Sequence, residues 1–350
     1  MPEPSPHSPK RRGRLLRALG ALVVLLAVAA YLAVQYVTGG RGGPGCEVVA
    51  GGADADGTTY EFTPEQAVNA ATIAAVGTGR GMPERAVTIA LATALQESGL
   101  RNIAHGDRDS LGLFQQRPSQ GWGTEKEIMD PTYAAGEFYR HLAKVDGYTE
   151  LPLTVAAQRV QRSGFPEAYA KHEPDAALLS AALTGNAAAT LSCTGTPAPA
   201  ASAGAAGESW GPDAVRTALA RDFGRDALQP VGAEVGAGDG ASPAPATSSA
   251  ASTSSTASPA PGAGGSDERV VTLPVSAGSS PAKGRSDRQR GWQLAQWAVA
   301  NSSALHIERV VYGGREWTAG NVDTRWRTVR GTGAGGSATT ADPVRIVTAR

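Results

Sequence analysis

Glu97 ends the stretch PERAVTIALATALQE, residues 83–97, in which Val87, Ala90, Leu91 and Ala94 recur at three- and four-residue spacing. That spacing predicts one buried helical stripe, and Glu97 continues it three residues past Ala94. A carboxyl at the edge of a core loses hydration, and the last helical turn adds the negative end of the macrodipole. Both effects raise its pKa. A carboxyl still protonated near neutral pH can serve as a general acid. Periodicity alone leaves a second reading open, a glutamate turned one position round onto the solvated face.

The loop that follows, from Asn102 to Gly112, carries His105, Asp107, Arg108 and Asp109. One histidine and two scattered aspartates lack the convergent spacing of a metal site, so neither a metal nor a cofactor is expected. Asp107 and Asp109 are candidates for a second catalytic carboxylate, which would decide the reaction type.

Glu97-Ser98 followed by Ser110-Leu111-Gly112-Leu113-Phe114-Gln115 resembles the signature of the soluble lytic transglycosylase and goose-type lysozyme superfamily. A second block, from Ala156 to Ala170 (AAQRVQRSGFPEAYA), is similar to the late segment of the lysozyme-like domains of bifunctional cell-wall hydrolases. It stands where other transglycosylases carry A-Y-N-A-G. The resemblance covers about residues 60–190 and implies that Glu97 is the acid/base acting on peptidoglycan glycan strands. It also implies substrate-binding roles for Ser110, Gln115, Gln158 and Tyr169. Ser110 would orient an N-acetyl group or the carboxyl, Gln115 would line the cleft, and the Tyr169 hydroxyl would lie near Glu97. The plain alternatives are a loop hydrogen bond, a helix-start residue and a half-buried core tyrosine. Trp122, between Gly121 and Gly123, suits either a sugar ring or a lid over the core.

The elements that would position these residues are helical. Thr63-Pro64-Glu65-Gln66 reads as a capping box with proline at the first helical position. It precedes a small-residue face of Ala67, Ala70, Ala71, Ala74 and Ala75 that ends at Gly77 and Gly79. Pro83 and Gly99 bracket the Glu97 helix. Asp130-Pro131 starts another helix, with Ala134, Ala135, Phe138, Tyr139 and Leu142 as its apolar positions, and Leu153–Arg162 reads as one more. No convincing strand alternation occurs between 60 and 190, so this part is expected to be mainly α, in agreement with the lysozyme-like fold that the resemblance implies.

The full chain of 350 residues holds 44 Gly and 23 Pro, too many for one continuous core. Its 32 basic and 32 acidic side chains balance, which gives no field to attract nucleic acid. Residues 1–17 form a basic tail, and 18–38 an uncharged apolar run long enough to span a bilayer of about 30 Å. The basic flank predicts a single-pass signal anchor in the cell membrane, with the N-terminus cytoplasmic and the rest outside. A cleaved signal peptide ending near Ala27-Val28-Ala29 is the other reading, and the protein would then be secreted. One span cannot line a transport pathway.

Cys46 and Cys193 are the only cysteines and bracket residues 46–193, so a disulfide is the economical inference in an oxidising compartment. It would add roughly 5 kcal/mol in the chain-entropy model. Two free thiols remain an alternative. Lipidation of Cys46 is not supported, because Gly43-Pro44-Gly45 is no apolar lipobox.

Residues 194–266 turn to Ala, Gly, Pro and Ser and read as a flexible, disordered linker with a short helix near 213–223. Residues 267–350 read as a small α+β module, with a helix over 290–304 and strands at 307–312 and 345–348. The module resembles the C-terminal domains of secreted wall-associated proteins, whose last strand follows a D-H-V-H-like sequence. Asp342-Pro343-Val344-Arg345 lacks the histidines, which points to a binding or spacer role.

The expected protein is thus a membrane-anchored transglycosylase or muramidase whose partner is peptidoglycan. The alternatives are a non-catalytic peptidoglycan-binding protein and an envelope scaffold whose partner would be met by the C-terminal module.

Overall fold

The computed structural model describes residues 45–51, 57–194, 211–224, 269–275, 286–320, 325–329 and 342–349. The basic tail, the 18–38 apolar run and most of the 194–266 linker lie outside the described residues. Among the described residues no helix is long and apolar enough to cross a membrane.

The described chain begins with two short strands, β1 (Cys46–Val49) and β2 (Thr59–Phe62), and then turns helical. Thr63 caps α1 (Pro64–Gly79) through the expected capping box: its hydroxyl accepts from the Gln66 N–H, and Gln66 Oε1 accepts from the Thr63 N–H at 2.8 Å. The alanine face of α1 is buried throughout. Pro83 stands at the N-cap of α2 (Glu84–Ser98), and Gly99 ends the helix in the left-handed conformation, φ 62°. Two side chains of α1 secure that end: Gln66 Nε2 donates to the Gly99 carbonyl and Asn69 Nδ2 to the Leu100 carbonyl, each at 2.8 Å. The turn after Glu97 is therefore fixed by hydrogen bonds to a neighbouring helix.

A short helix, α3 (Glu125–Ile128), leads into α4 (Pro131–Leu142), whose N-cap Asp130 accepts from the Thr132 N–H at 2.9 Å. All five of its expected apolar positions are buried. Next come α5 (Leu153–Gln161), a 3₁₀ segment Pro166–His172, and α6 (Glu173–Leu183), which packs along α2. Strand β3 (Leu191–Cys193) returns to pair with β1, giving an antiparallel sheet in the order β2-β1-β3. This sheet went unforeseen, because strands of three or four residues carry almost no alternation and the pairing joins distant segments. Cys46 and Cys193 are register partners in it, and their sulfurs form the disulfide, spanning 147 positions.

Helix α7 (Pro212–Phe223) matches the short helix expected near 213–223. The C-terminal region holds strand β4 (Val270–Leu273), α8 (Asp287–Ala300), β5 (Ile307–Tyr312), β6 (Arg315–Thr318), β7 (Arg327–Thr328) and β8 (Val344–Thr348). The strands form an antiparallel sheet ordered β4-β8-β5-β6-β7. The fold is thus helix-rich, with a small strand-rich C-terminal region.

That region does not stand apart from the helical body. Helix α8 packs on α1, α6 and β3, and Gly45–Arg350 forms one compact unit. Polar groups are matched across the junction. Gln296, fully buried, accepts from the Thr190 and Leu191 N–H groups at 3.0 and 2.9 Å and donates to the Ala182 and Ala187 carbonyls at 2.8 Å. The indole N–H of Trp297 donates to Asp222 of α7 at 2.9 Å, and that of Trp326 to the Leu191 carbonyl at 2.9 Å. Buried polar groups cost free energy unless paired, so these bonds specify one docking geometry.

Candidate active site

Glu97 sits in the last turn of α2, half-buried at the floor of an open cleft of about 500 Å³. The loop after α2 forms one wall. Ser98 Oγ donates to the Leu113 carbonyl at 2.8 Å and Asn102 Nδ2 to the Met129 carbonyl at 2.8 Å, which pins both ends of the loop to the body. Gly112 has φ +76°, and a Cβ there would press on the Ile128 carbonyl, so this turn admits only glycine at ease. Leu113 and Phe114 then plunge into the core, where Phe114 stacks on Phe138 with ring centroids 4.7 Å apart. Ser110, Gln115 and Asp107 face the cleft from this wall.

The opposite wall comes from the end of α5 and the loop after it. The Tyr169 hydroxyl, on a fully buried side chain, donates to Glu97 Oε1 at 2.7 Å. Gln161 donates from Nε2 to the Phe114 carbonyl at 2.7 Å and also hydrogen-bonds to the Glu97 carboxyl. Burial pushes the Glu97 pKa up, and the bonds from Tyr169 and Gln161 pull it part of the way back. Burial and the neighbouring Glu97 charge push the Tyr169 phenol well above its ordinary range, so it stays a hydrogen-bond donor.

The remaining candidates divide. Asp109 is not among the residues lining the cleft. Hydrogen bonds from the Ser119 hydroxyl and N–H, together with Arg117 Nε at 2.7 Å, hold its carboxyl well below the usual range. Asp107 lines the cleft, but its side chain is largely solvated and lies 4.0 Å from Arg108. Gln115 folds back on its own loop, with Nε2 donating to the Gly112 carbonyl at 3.2 Å. Gln158 turns to the chain, donating to the Ser163 carbonyl at 2.7 Å. Trp122 lines the cleft with its ring against His141, centroids 4.3 Å apart. Among the described residues no three His, Cys, Asp or Glu side chains group as a metal would require.

Sequence reasoning missed Gln161, His141, Arg159, Arg162 and Phe165. Gln161 was within reach, since it lies three residues past Gln158 and so shares its helix face. His141 and Arg159 reach it from α4 and α5, on positions that the apolar period leaves unassigned, and Arg162 and Phe165 reach it through the cap and loop after α5, for which no sequence period exists.

Residues 275–341 match the sequence family described as VldE, C-terminal domain. The matched segment spans α8 and strands β5 to β7 and lies outside the Glu97 cleft. No curated protein matches the chain.

Proposed function

We propose that the protein cleaves the β-1,4 bond between N-acetylmuramic acid and N-acetylglucosamine in peptidoglycan, using Glu97 as acid and then base. The observation that carries this reading is a half-buried carboxyl of raised pKa, held by the Tyr169 hydroxyl, in the lining of a cleft of about 500 Å³. A lysozyme-like fold for the helical body belongs to the same reading. Protonated Glu97 donates its proton to the glycosidic oxygen as the C1–O bond breaks, leaving an oxocarbenium-like muramyl ring. The resulting carboxylate then accepts a proton from the nucleophile that closes on C1.

Two nucleophiles fit, and the carboxylates favour one. Asp109 is engaged by Arg117 and Ser119, away from the cleft lining, which supports a single-carboxylate reaction. The nucleophile is then the muramyl 6-hydroxyl, and the product is a 1,6-anhydro ring. Asp107, which does line the cleft, supports water as the second choice and a muramidase outcome. In this reading residues 18–38 hold the enzyme on the outer face of the cytoplasmic membrane, where the Cys46–Cys193 disulfide is at home.

Mass spectrometry of muropeptides released by the full chain in detergent tests this, with Glu97→Gln and Asp107→Asn run beside it. Anhydro ends that vanish in Glu97→Gln and persist in Asp107→Asn are expected. Reducing ends that depend on Asp107 would establish hydrolysis, and wall binding without any release would establish a non-catalytic binding protein.

A further inference from the structure

Four arginines line the cleft, Arg108, Arg117, Arg159 and Arg162, and they are not equivalent. Arg117 is paired with Asp109 and Arg108 approaches Asp107. Arg159 and Arg162 make no ion pair among the described residues. Both are exposed and stand on the wall formed by the end of α5, whose macrodipole favours positive charge but does not require it to face a cleft.

Two further features mark this wall. Arg162 caps α5 in the left-handed conformation, φ 52° and ψ 38°, a position normally taken by glycine. A non-glycine residue kept there at a conformational cost is a reason to look for a function of its side chain. Phe165, three residues on, is 78% exposed, the one large hydrophobic side chain left so open among the described residues, and it too lines the cleft. The sugars of a strand whose lactyl carboxyls are amide-linked to peptide carry no charge, and they need neither two uncompensated guanidinium groups nor an open phenyl ring. A guanidinium pair suits a carboxylate, and a ring beside it suits the apolar side chains of a short peptide.

We propose that Arg159, Arg162 and Phe165 form a subsite for a carboxylate-bearing peptide arm attached to the glycan. The preferred substrate is then the peptide-substituted strand, not the bare one. This rests on the peptidoglycan reading above, but its test does not need turnover.

Calorimetric titration of the Glu97→Gln full chain should compare a peptide-bearing glycan oligomer with the same oligomer after amidase removal of the peptide and conversion of the lactyl carboxyls thus freed to neutral amides. The expected result is at least about tenfold tighter binding of the peptide-bearing ligand, weakening with added salt. Arg159→Gln with Arg162→Gln should abolish that advantage and leave affinity for the bare glycan unchanged. Arg162→Gly alone suits the left-handed backbone, so it should raise the melting temperature while losing much of the peptide preference. Equal affinity of the parent for both ligands, no binding of either, or a double variant that weakens both alike would overturn the subsite. Cleavage by the otherwise wild-type chain is measured in parallel. Peptide-dependent binding with no cleavage would sink the catalytic reading and keep the subsite. Cleavage of both glycans at equal kcat/KM would do the reverse.

Discussion

The Tyr169 hydroxyl donates to Oε1 of Glu97 across 72 positions of sequence, joining the 3₁₀ segment after α5 to the last turn of α2. The bond favours the ionised carboxylate, against the burial that favours the neutral acid. Tyr169→Phe removes the donor and leaves the burial, so the Glu97 pKa should rise further. The alkaline limb of the pH–rate profile should move to higher pH. A hydrogen bond to a charged group contributes about 1.5–3 kcal/mol, so activity at the optimum should fall roughly tenfold or more. A profile unchanged in position would mean that Glu97 is not the titrating acid.

Glu97→Gln keeps the shape and removes the proton. Loss of a general acid should lower kcat by about 10²–10⁴. Its effect on stability has the opposite sign. The folded-state pKa of Glu97 lies above the ordinary glutamate value of 4.5, so its stabilising contribution is complete below that value and is lost as pH rises through the folded pKa. The variant should therefore melt increasingly above the wild type as pH rises from about 4.5, then level off. Thermal melts across pH 3–9 check this, and a constant offset would count against a buried Glu97.

Gln296 joins the C-terminal region to the helical body. Gln296→Ala would leave two buried N–H groups and two carbonyls short of a partner. The carbonyls keep the Gly185 N–H and the Thr190 hydroxyl as donors, so the cost falls on the two N–H groups, and at about 1–3 kcal/mol for each a loss on the order of 3 kcal/mol is expected in chemical denaturation. Removing residues 267–350 takes α8 from its seat on α1, α6 and β3 and should leave a body that does not fold stably.

Replacing Cys46 and Cys193 with serine releases a loop of 147 positions. The chain-entropy model puts the loss at about 5 kcal/mol, and the β1–β3 pairing should hold the measured loss below that. Denaturation with and without reductant checks the value. No change on reduction would show that the pairing alone holds the ends together.

Much of the site's frame was legible in the sequence. Thr63 with Gln66, Asp130 with Pro131, and Gly99 are local devices, because a cap or a left-handed residue acts on the turn beside it. The buried positions of α2 and α4 follow from a period that the helix itself imposes. Glu97 and its loop could be named for the same reason, since the stripe runs into Glu97 and the turn residues follow at once.

Tertiary structure alone decided the rest. Nothing near Asp109 in the sequence distinguishes it from Asp107, yet one is locked by Arg117 and Ser119 while the other opens on the cleft. The three-residue β3 finds β1, Gln296 satisfies backbone groups more than 100 positions away, and Arg162 reaches the cleft through a left-handed cap. Local patterning sets which face of an element is apolar, because period and side-chain type are properties of neighbouring residues. Which elements meet, and which polar groups are thereby satisfied or left free, depends on contacts between segments far apart in the chain, and these exist only once it is folded.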